Sequence, residues 1–230
     1  MKEKKPLSVR WDNFKFALWE YYRWPIIVGV TLIAVVGGMI YSFFNRQETA
    51  FYAIAINGSM LKGDAMMEEF RAREGIAPED RMVFTDAVMD LQKYEETMTT
   101  MDMLFATTAT KELDAVLLDG AAFASLANQA LYTDLSSLLT EEELTALGER
   151  VYYLDTADLT DVVTEESPPV ELSNNPLELE APVPVAVELS GFEKIEQYSL
   201  YREGDCFYTV TDSSQRKDRA VEFMQYLMEE

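Results

Sequence analysis

An uncharged, almost wholly apolar run of twenty residues, Pro25 to Phe44, constrains this chain more than any other feature. Coiled as an α-helix it would be about 30 Å long, the thickness of a bilayer's hydrocarbon core. No second run of this kind follows. The expectation is therefore one transmembrane helix over 25–44, with everything beyond it on one side of a membrane. Residues 1–24 carry six basic side chains (Lys2, Lys4, Lys5, Arg10, Lys15 and Arg23), against Arg46 alone near the other end. That asymmetry predicts a cytoplasmic N-terminus and an extracytoplasmic domain over 47–230, in a single-pass protein of the cell membrane. A cleaved signal peptide fits less well. The run exceeds the about 7–15 residues of a signal's apolar region, and Gly37-Gly38-Met39-Ile40-Tyr41 makes a poor cleavage site.

Ahead of the run, Trp11, Phe14, Leu18 and the Tyr21/Tyr22 pair recur at helical spacing, and all three tryptophans of the chain lie within residues 1–24. Indole rings favour the headgroup boundary, so 1–24 reads as a juxtamembrane amphipathic segment on the cytoplasmic side. A docking helix for a cytoplasmic partner is the rival reading.

Charge and residue usage exclude several functions. Beyond residue 24 the chain holds 13 basic and 38 acidic residues, which repels nucleic acid and anionic headgroups. Such a surface suits cations or basic partners, and it is also an ordinary means of staying in solution. Cys206 is the only cysteine, so no intrachain disulfide can form. Histidine is absent, which removes the commonest general base and the commonest metal ligand together. No carboxylate pair stands out among the acids as a catalytic couple, so no enzyme is expected, and no cofactor or metal is implied. The series Asp155, Asp158, Asp161 lacks the alternate spacing and central glycine of a calcium loop.

Along 47–230 the pattern alternates. Thr49–Ile56 reads as a strand ended by Asn57-Gly58-Ser59, followed by a helix from Asp64 with Met66, Met67 and Phe70 on one face. Arg81–Thr85 is a second strand. A long helix over 91–112 is expected to bury Tyr94, Met98, Met101, Leu104/Phe105 and Thr108/Ala109. Leu113–Leu118 is a third strand, closed by Asp119-Gly120 ahead of an alanine-rich helix to Leu131. Thr140 to Glu143 has the form of a capping box. Strands alternating with amphipathic helices predict an α/β domain with a mostly parallel sheet and flanking helices. Between Val151 and Glu193 there are ten acids, no base and five of the eight prolines. Residues 151–187 therefore read as a proline-rich acidic loop region, extended or partly paired at a sheet edge. Pro184–Leu189, Cys206–Val210 and a closing helix packing on Ala220, Phe223, Met224 and Leu227 complete the chain.

Two stretches resemble the extracellular solute-binding proteins. Lys111-Glu-Leu-Asp-Ala-Val-Leu-Leu-Asp-Gly-Ala-Ala-Phe-Ala-Ser-Leu-Ala-Asn-Gln-Ala-Leu-Tyr-Thr-Asp-Leu135 is similar to that family's strand, helix and following "G-L-L-x-x-L", with Ala130 where glycine is usual. Tyr208 to Leu227 is similar to its closing strand and helix. The resemblance lies in these two pieces and implies a periplasmic-binding-protein-like lobe of the type 2 kind. Family members usually grip ligand between two lobes, whereas only some 50 residues separate Leu139 from Leu189 here. The implied form is a single lobe, with the second reduced or missing.

In an open α/β sheet, ligands bind beyond the carboxyl ends of the strands. The candidates for ligand binding are Asn57, Gly58 and Ser59, then Asp119 and Gly120, then Ser190 and Gly191; each cluster is also an ordinary turn former. Two functions remain. One is an extracytoplasmic interaction domain of a membrane assembly, derived from a solute-binding lobe and joined to a membrane-protein partner. The other is a tethered solute-binding or sensing module that hands a small-molecule ligand to a transporter.

Overall fold

Strand β1 (Thr49–Ile56) shows why the domain folds in three layers: Phe51, Ala53 and Ala55 are buried in one core, Ile54 and Ile56 in another. Side chains alternate across a strand, so a strand apolar at every position needs cover on both faces. The computed structural model describes residues 23–39, 41, 49–129, 131–158, 170–201 and 204–229. The chain divides into two compact units, residues 1–47 and 48–230.

In the first unit the described helix, α1, covers 23–39, and all of its residues are exposed. The expected transmembrane helix over 25–44 is not met: among the described residues, no helix is long and apolar enough to cross a membrane. The amphipathic segment expected over 1–24 lies, up to residue 22, outside the described residues.

In the second unit, β1 runs into α2 (Gly63–Glu74) and back to β2 (Arg81–Ala87), then through α3 (Tyr94–Ala109) to β3 (Ala115–Leu118). Helix α4 (Gly120–Leu126) follows, then α5 (Glu141–Leu147), whose start carries the expected capping box between Thr140 and Glu143. Strands β4 (Val151–Asp155), β5 (Leu172–Ser173) and β6 (Pro182–Glu188) come next, then α6 (Glu193–Gln197), β7 (Phe207–Val210) and α7 (Lys217–Leu227). One seven-stranded sheet has the order β2-β1-β3-β7-β6-β4-β5. Helices α2, α6 and α7 pack on one face through Met66, Phe70, Ile195 and Phe223, and α3 and α4 on the other through Leu104 and Phe123.

The mostly parallel sheet expected from the alternating pattern is corrected. Only β1–β2 and β1–β3 pair in parallel; β3–β7, β7–β6, β6–β4 and β4–β5 are antiparallel. The pattern holds as far as β3, where each strand returns through a helix. Past β3 the far half of the sheet builds from strands contributed by the acidic, proline-rich region. Three of them (β4, β5 and β6) lie within or overlap the stretch read as a loop, whose residues 159–169 are outside the described residues. Buried Asp155 organises this part: its carboxylate accepts hydrogen bonds from the backbone N–H of Ala157 (3.0 Å), Glu180 (2.7 Å) and Ala181 (3.0 Å). Those donors hold its pKa below the usual carboxylate range.

Helix α3 meets the expected face only in part, through Leu104 and, half-buried against the core, Met101. Thr100 and Leu104 are buried, while Tyr94, Met98 and Phe105 are 77%, 40% and 45% exposed. The buried flank is rich in threonines whose hydroxyls are satisfied by main-chain carbonyls: Thr97 on Asp90 (2.7 Å), Thr100 on Val88 (2.6 Å) and Thr107 on Met103 (2.8 Å). A satisfied hydroxyl costs little to bury, so hydropathy alone does not mark Thr100 as a core position.

The two halves of the sheet are joined by fully buried Asp114, just ahead of β3. Its carboxylate accepts from the Tyr52 N–H (2.9 Å), the Ser214 hydroxyl (2.6 Å) and the Arg216 Nε (2.9 Å). Removing one member of a buried ion pair leaves the other charge uncompensated, at a cost of about 3–5 kcal/mol. Asp114→Ala is therefore expected to destabilise the chain by that amount. Urea unfolding followed by far-UV circular dichroism checks it, through a lowered midpoint at an unchanged slope.

Candidate functional site

Strand order places the strand ends that matter. Strand β1 lies between β2 and β3, and the helices leaving it and β2 cover opposite faces, so the topological switch point falls between β1 and β3. In open α/β sheets the crevice at that point is where ligands are bound. Asn57 follows β1 and Asp119 follows β3, so two of the sequence candidates flank the crevice.

The crevice is bridged. Asn57 adopts a left-handed backbone (φ 59°), which asparagine tolerates better than most residues. Its Nδ2 donates to Asp119 Oδ2 (2.9 Å) and to the Met89 carbonyl (3.0 Å), while its Oδ1 accepts from the Met89 N–H (2.8 Å). Both amide hydrogens and the amide oxygen are thus engaged within the protein. The other oxygen of Asp119 accepts from the Ala122 N–H (2.8 Å), the N-cap bond of α4. Three strand ends, those of β1, β2 and β3, are fastened by two short polar side chains.

Next to the bridge, the loop after α6 closes over β1. The Ser59 N–H donates to the Leu200 carbonyl (2.8 Å) and the Tyr201 hydroxyl donates to the Ile56 carbonyl (2.7 Å). Burial pushes the Tyr201 phenol well above its ordinary pKa, so it remains a neutral donor. Gly58 is required by this closure: a Cβ there would lie 2.9 Å from Ala55 Cβ and 3.1 Å from the Leu200 carbonyl oxygen. Gly120 is less constrained, with its nearest neighbour, Asp205 Oδ2, 3.5 Å from a built Cβ.

The last pair sits on a neighbouring strand end. Ser190 Oγ accepts from the Cys206 N–H (3.0 Å), its carbonyl accepts from Arg150 Nη1 (2.9 Å), and Gly191 adopts φ 81° to make the turn. Arg150 lies 4.6 Å from the Phe192 ring centroid, in cation–π contact. Cys206 is wholly buried and its thiol is pushed to a high pKa by that burial, which leaves it unreactive. Among the described residues no hydrogen bond joins Ser190 or Gly191 to the Asn57–Asp119 bridge. Nor does any group of three acidic or cysteine side chains there stand ready to hold a metal ion.

The fold brings Asn57 and Asp119 together, and with them Met89, Leu200 and Tyr201, which the sequence reading did not single out. Main-chain partners of this kind leave no residue-type signal. No known protein family, curated protein or solved structure matches this chain. The solute-binding resemblance of 111–135 and 208–227 accordingly rests on those residues alone.

Replacement of Gly58 tests how tightly the strand end is packed. Gly58→Ala forces its Cβ against the main chain of Leu200 and is expected to cost about 1–3 kcal/mol, the usual penalty of overpacking. A thermal melt that is unchanged would mean the loop 199–201 does not lie over β1.

Proposed function

We propose that this chain is an interaction protein, not an enzyme. In this reading residues 48–230 are a domain derived from a solute-binding lobe, working as part of a membrane assembly and held at the membrane by the N-terminal unit. The observation that carries the reading is the Asn57–Asp119 bridge. The groups best placed to meet a ligand at the switch point already satisfy one another and the main chain of Met89. A ligand entering there would have to break about three hydrogen bonds, each leaving a donor or acceptor unmet at roughly 1–3 kcal/mol. The absence of histidine from the chain argues in the same direction against acid–base catalysis.

Attachment to a membrane is supported by α1. Between Trp24 and Met39 it carries no charged residue, and side chains such as Ile33 (72%) and Leu32 (61%) are exposed. A helix apolar on all sides is stable only where something apolar covers it. The basic residues of 1–24 favour an anionic lipid surface next to it. The full chain is expected to float with anionic lipid vesicles in a density gradient, and a chain lacking 1–47 to stay at the bottom. A full chain that stays at the bottom with intact circular dichroism sinks this part of the reading.

A second reading, a tethered solute-binding or sensing module serving a transporter, is favoured by the position of Asn57, Asp119 and Gly120 at the switch point. A thermal-shift screen of the full chain in detergent separates the two, using pooled sugars, amino acids, peptides, oxyanions and divalent cations. A ligand at a hundred times its dissociation constant adds about 2.7 kcal/mol, a rise of roughly 5 °C or more for a chain this size. No rise with any pool is expected. A reproducible rise with one pool, abolished by Asp119→Ala, would establish the binding module instead.

A further inference from the structure

Among the described residues, the flank of α3 turned away from Thr100 carries an apolar stripe that stays partly exposed. Tyr94, Met98 and Phe105 stand at positions i, i+4 and i+11, with half-buried Met101 between them and exposed Leu91 just ahead. They extend over about 17 Å, three turns of helix. Thr100 and Leu104 are the buried residues of α3, and Tyr94, Met98 and Phe105 keep 40–77% of their surface exposed. The stripe has an acidic border. Glu95 and Asp102 lie beside it without an ion pair among the described residues. The one lysine near its start, Lys93, is already paired with Asp90 (3.4 Å) and Glu96 (3.2 Å).

We propose that this flank of α3 docks a basic amphipathic helix of another protein, with apolar residues on one face and lysine or arginine beside them. The proposal rests on the interaction-domain reading and names its surface and the chemistry of its partner. Three observations select this occupant. A stripe at helical pitch with adaptable methionines matches an opposing helix, which presents side chains at the same repeat. The surface is helical, so an added β-strand would find no free main-chain edge. The unpaired carboxylates of Glu95 and Asp102 attract a basic partner and repel a second copy of this chain, whose formal net charge is −22.

Fluorescence anisotropy with a labelled eighteen-residue probe peptide tests this on the full chain in detergent. The probe has leucines on one face of a helix and lysines on the other; a leucine/glutamate peptide and a lysine peptide of scrambled order are controls. The leucine/lysine peptide alone is expected to bind. Combined Tyr94→Ser, Met98→Ser and Phe105→Ser substitutions should weaken it at least tenfold. Glu95→Gln with Asp102→Asn should weaken it several-fold and flatten its salt dependence, and these charge changes keep the proposal testable if the serine variant unfolds. Equal binding by both variants overturns the proposal. Sedimentation showing a dimer that the serine substitutions dissolve overturns it in favour of a second copy. Binding that appears only after residues 1–22 are deleted assigns the stripe to the chain's own basic, aromatic segment instead. A small-molecule ligand found in the thermal screen would overturn the interaction-domain reading while leaving the peptide result standing, so the two failures are separable.

Discussion

The carboxylate of Asp114 is the interaction on which the rest of the domain depends. One oxygen receives the Ser214 hydroxyl, and the other receives the Tyr52 amide and the Arg216 guanidinium. The Asp114 main chain continues the same junction, donating to the Tyr52 carbonyl and accepting from the Thr211 N–H. Through one residue the first strand, the approach to the third and the turn into the last helix are held together. Buried charge is costly unless paired and hydrogen-bonded, and here the pairing joins segments a hundred residues apart in sequence. The antiparallel entry of β7 beside β3 follows. With Ser214 and Arg216 tied to Asp114, β7 reaches that point only by running opposite to β3, and α7 then lies over the Phe51–Phe70–Phe223 cluster.

The strand ends at the other pole obey a different logic. At the switch point an α/β sheet leaves a crevice because neighbouring helices turn to opposite faces. Here the crevice is occupied by the protein's own polar groups: the Asn57 amide spans it, Asp119 caps α4 while receiving that amide, and Tyr201 and Leu200 lie over the end of β1. A binding site and a structural fastening use the same residue types in the same place, and they differ only in whether donors and acceptors remain free. At Asn57 none of the amide's hydrogens is left over.

That difference explains how much could be read beforehand. β1 and β3 were legible because both are apolar at consecutive positions, the mark of a strand covered on two faces. The capping box at Thr140 and the buried face of α7 were legible for the same local reason. Strand direction past β3 was not, because it is set by Asp114 and its distant partners rather than by periodicity. Strand β4 was hidden because Val151-Tyr-Tyr-Leu-Asp155 is short and adjoins an acidic, proline-rich stretch. Of the site, Asn57 and Asp119 were visible as turn formers after strands. Whether they faced a ligand or each other depended on Met89, whose contribution is made by its main chain alone.

Helix α3 carries the same lesson into function. Its sequence offers an apolar series, Tyr94, Met98, Met101 and Leu104/Phe105, and beside it a flank of threonines, Thr97, Thr100 and Thr107. The fold buries Thr100 and Leu104, and the carbonyls of Val88 and Asp90, just ahead of the helix, take up the hydroxyls of Thr100 and Thr97. Tyr94, Met98 and Phe105 are left on the surface, beside Glu95 and Asp102, which have no ion pair among the described residues. Met98 and Phe105 are already more than half covered, so turning them inward would add only part of the about 1.5–3 kcal/mol of full burial. The threonine stripe, by contrast, contributes hydrogen bonds worth about 1 kcal/mol apiece. The orientation of α3 therefore reflects a balance between the burial of Leu104 and Thr100, the hydroxyl bonds of the threonines, and the apolar area left partly exposed.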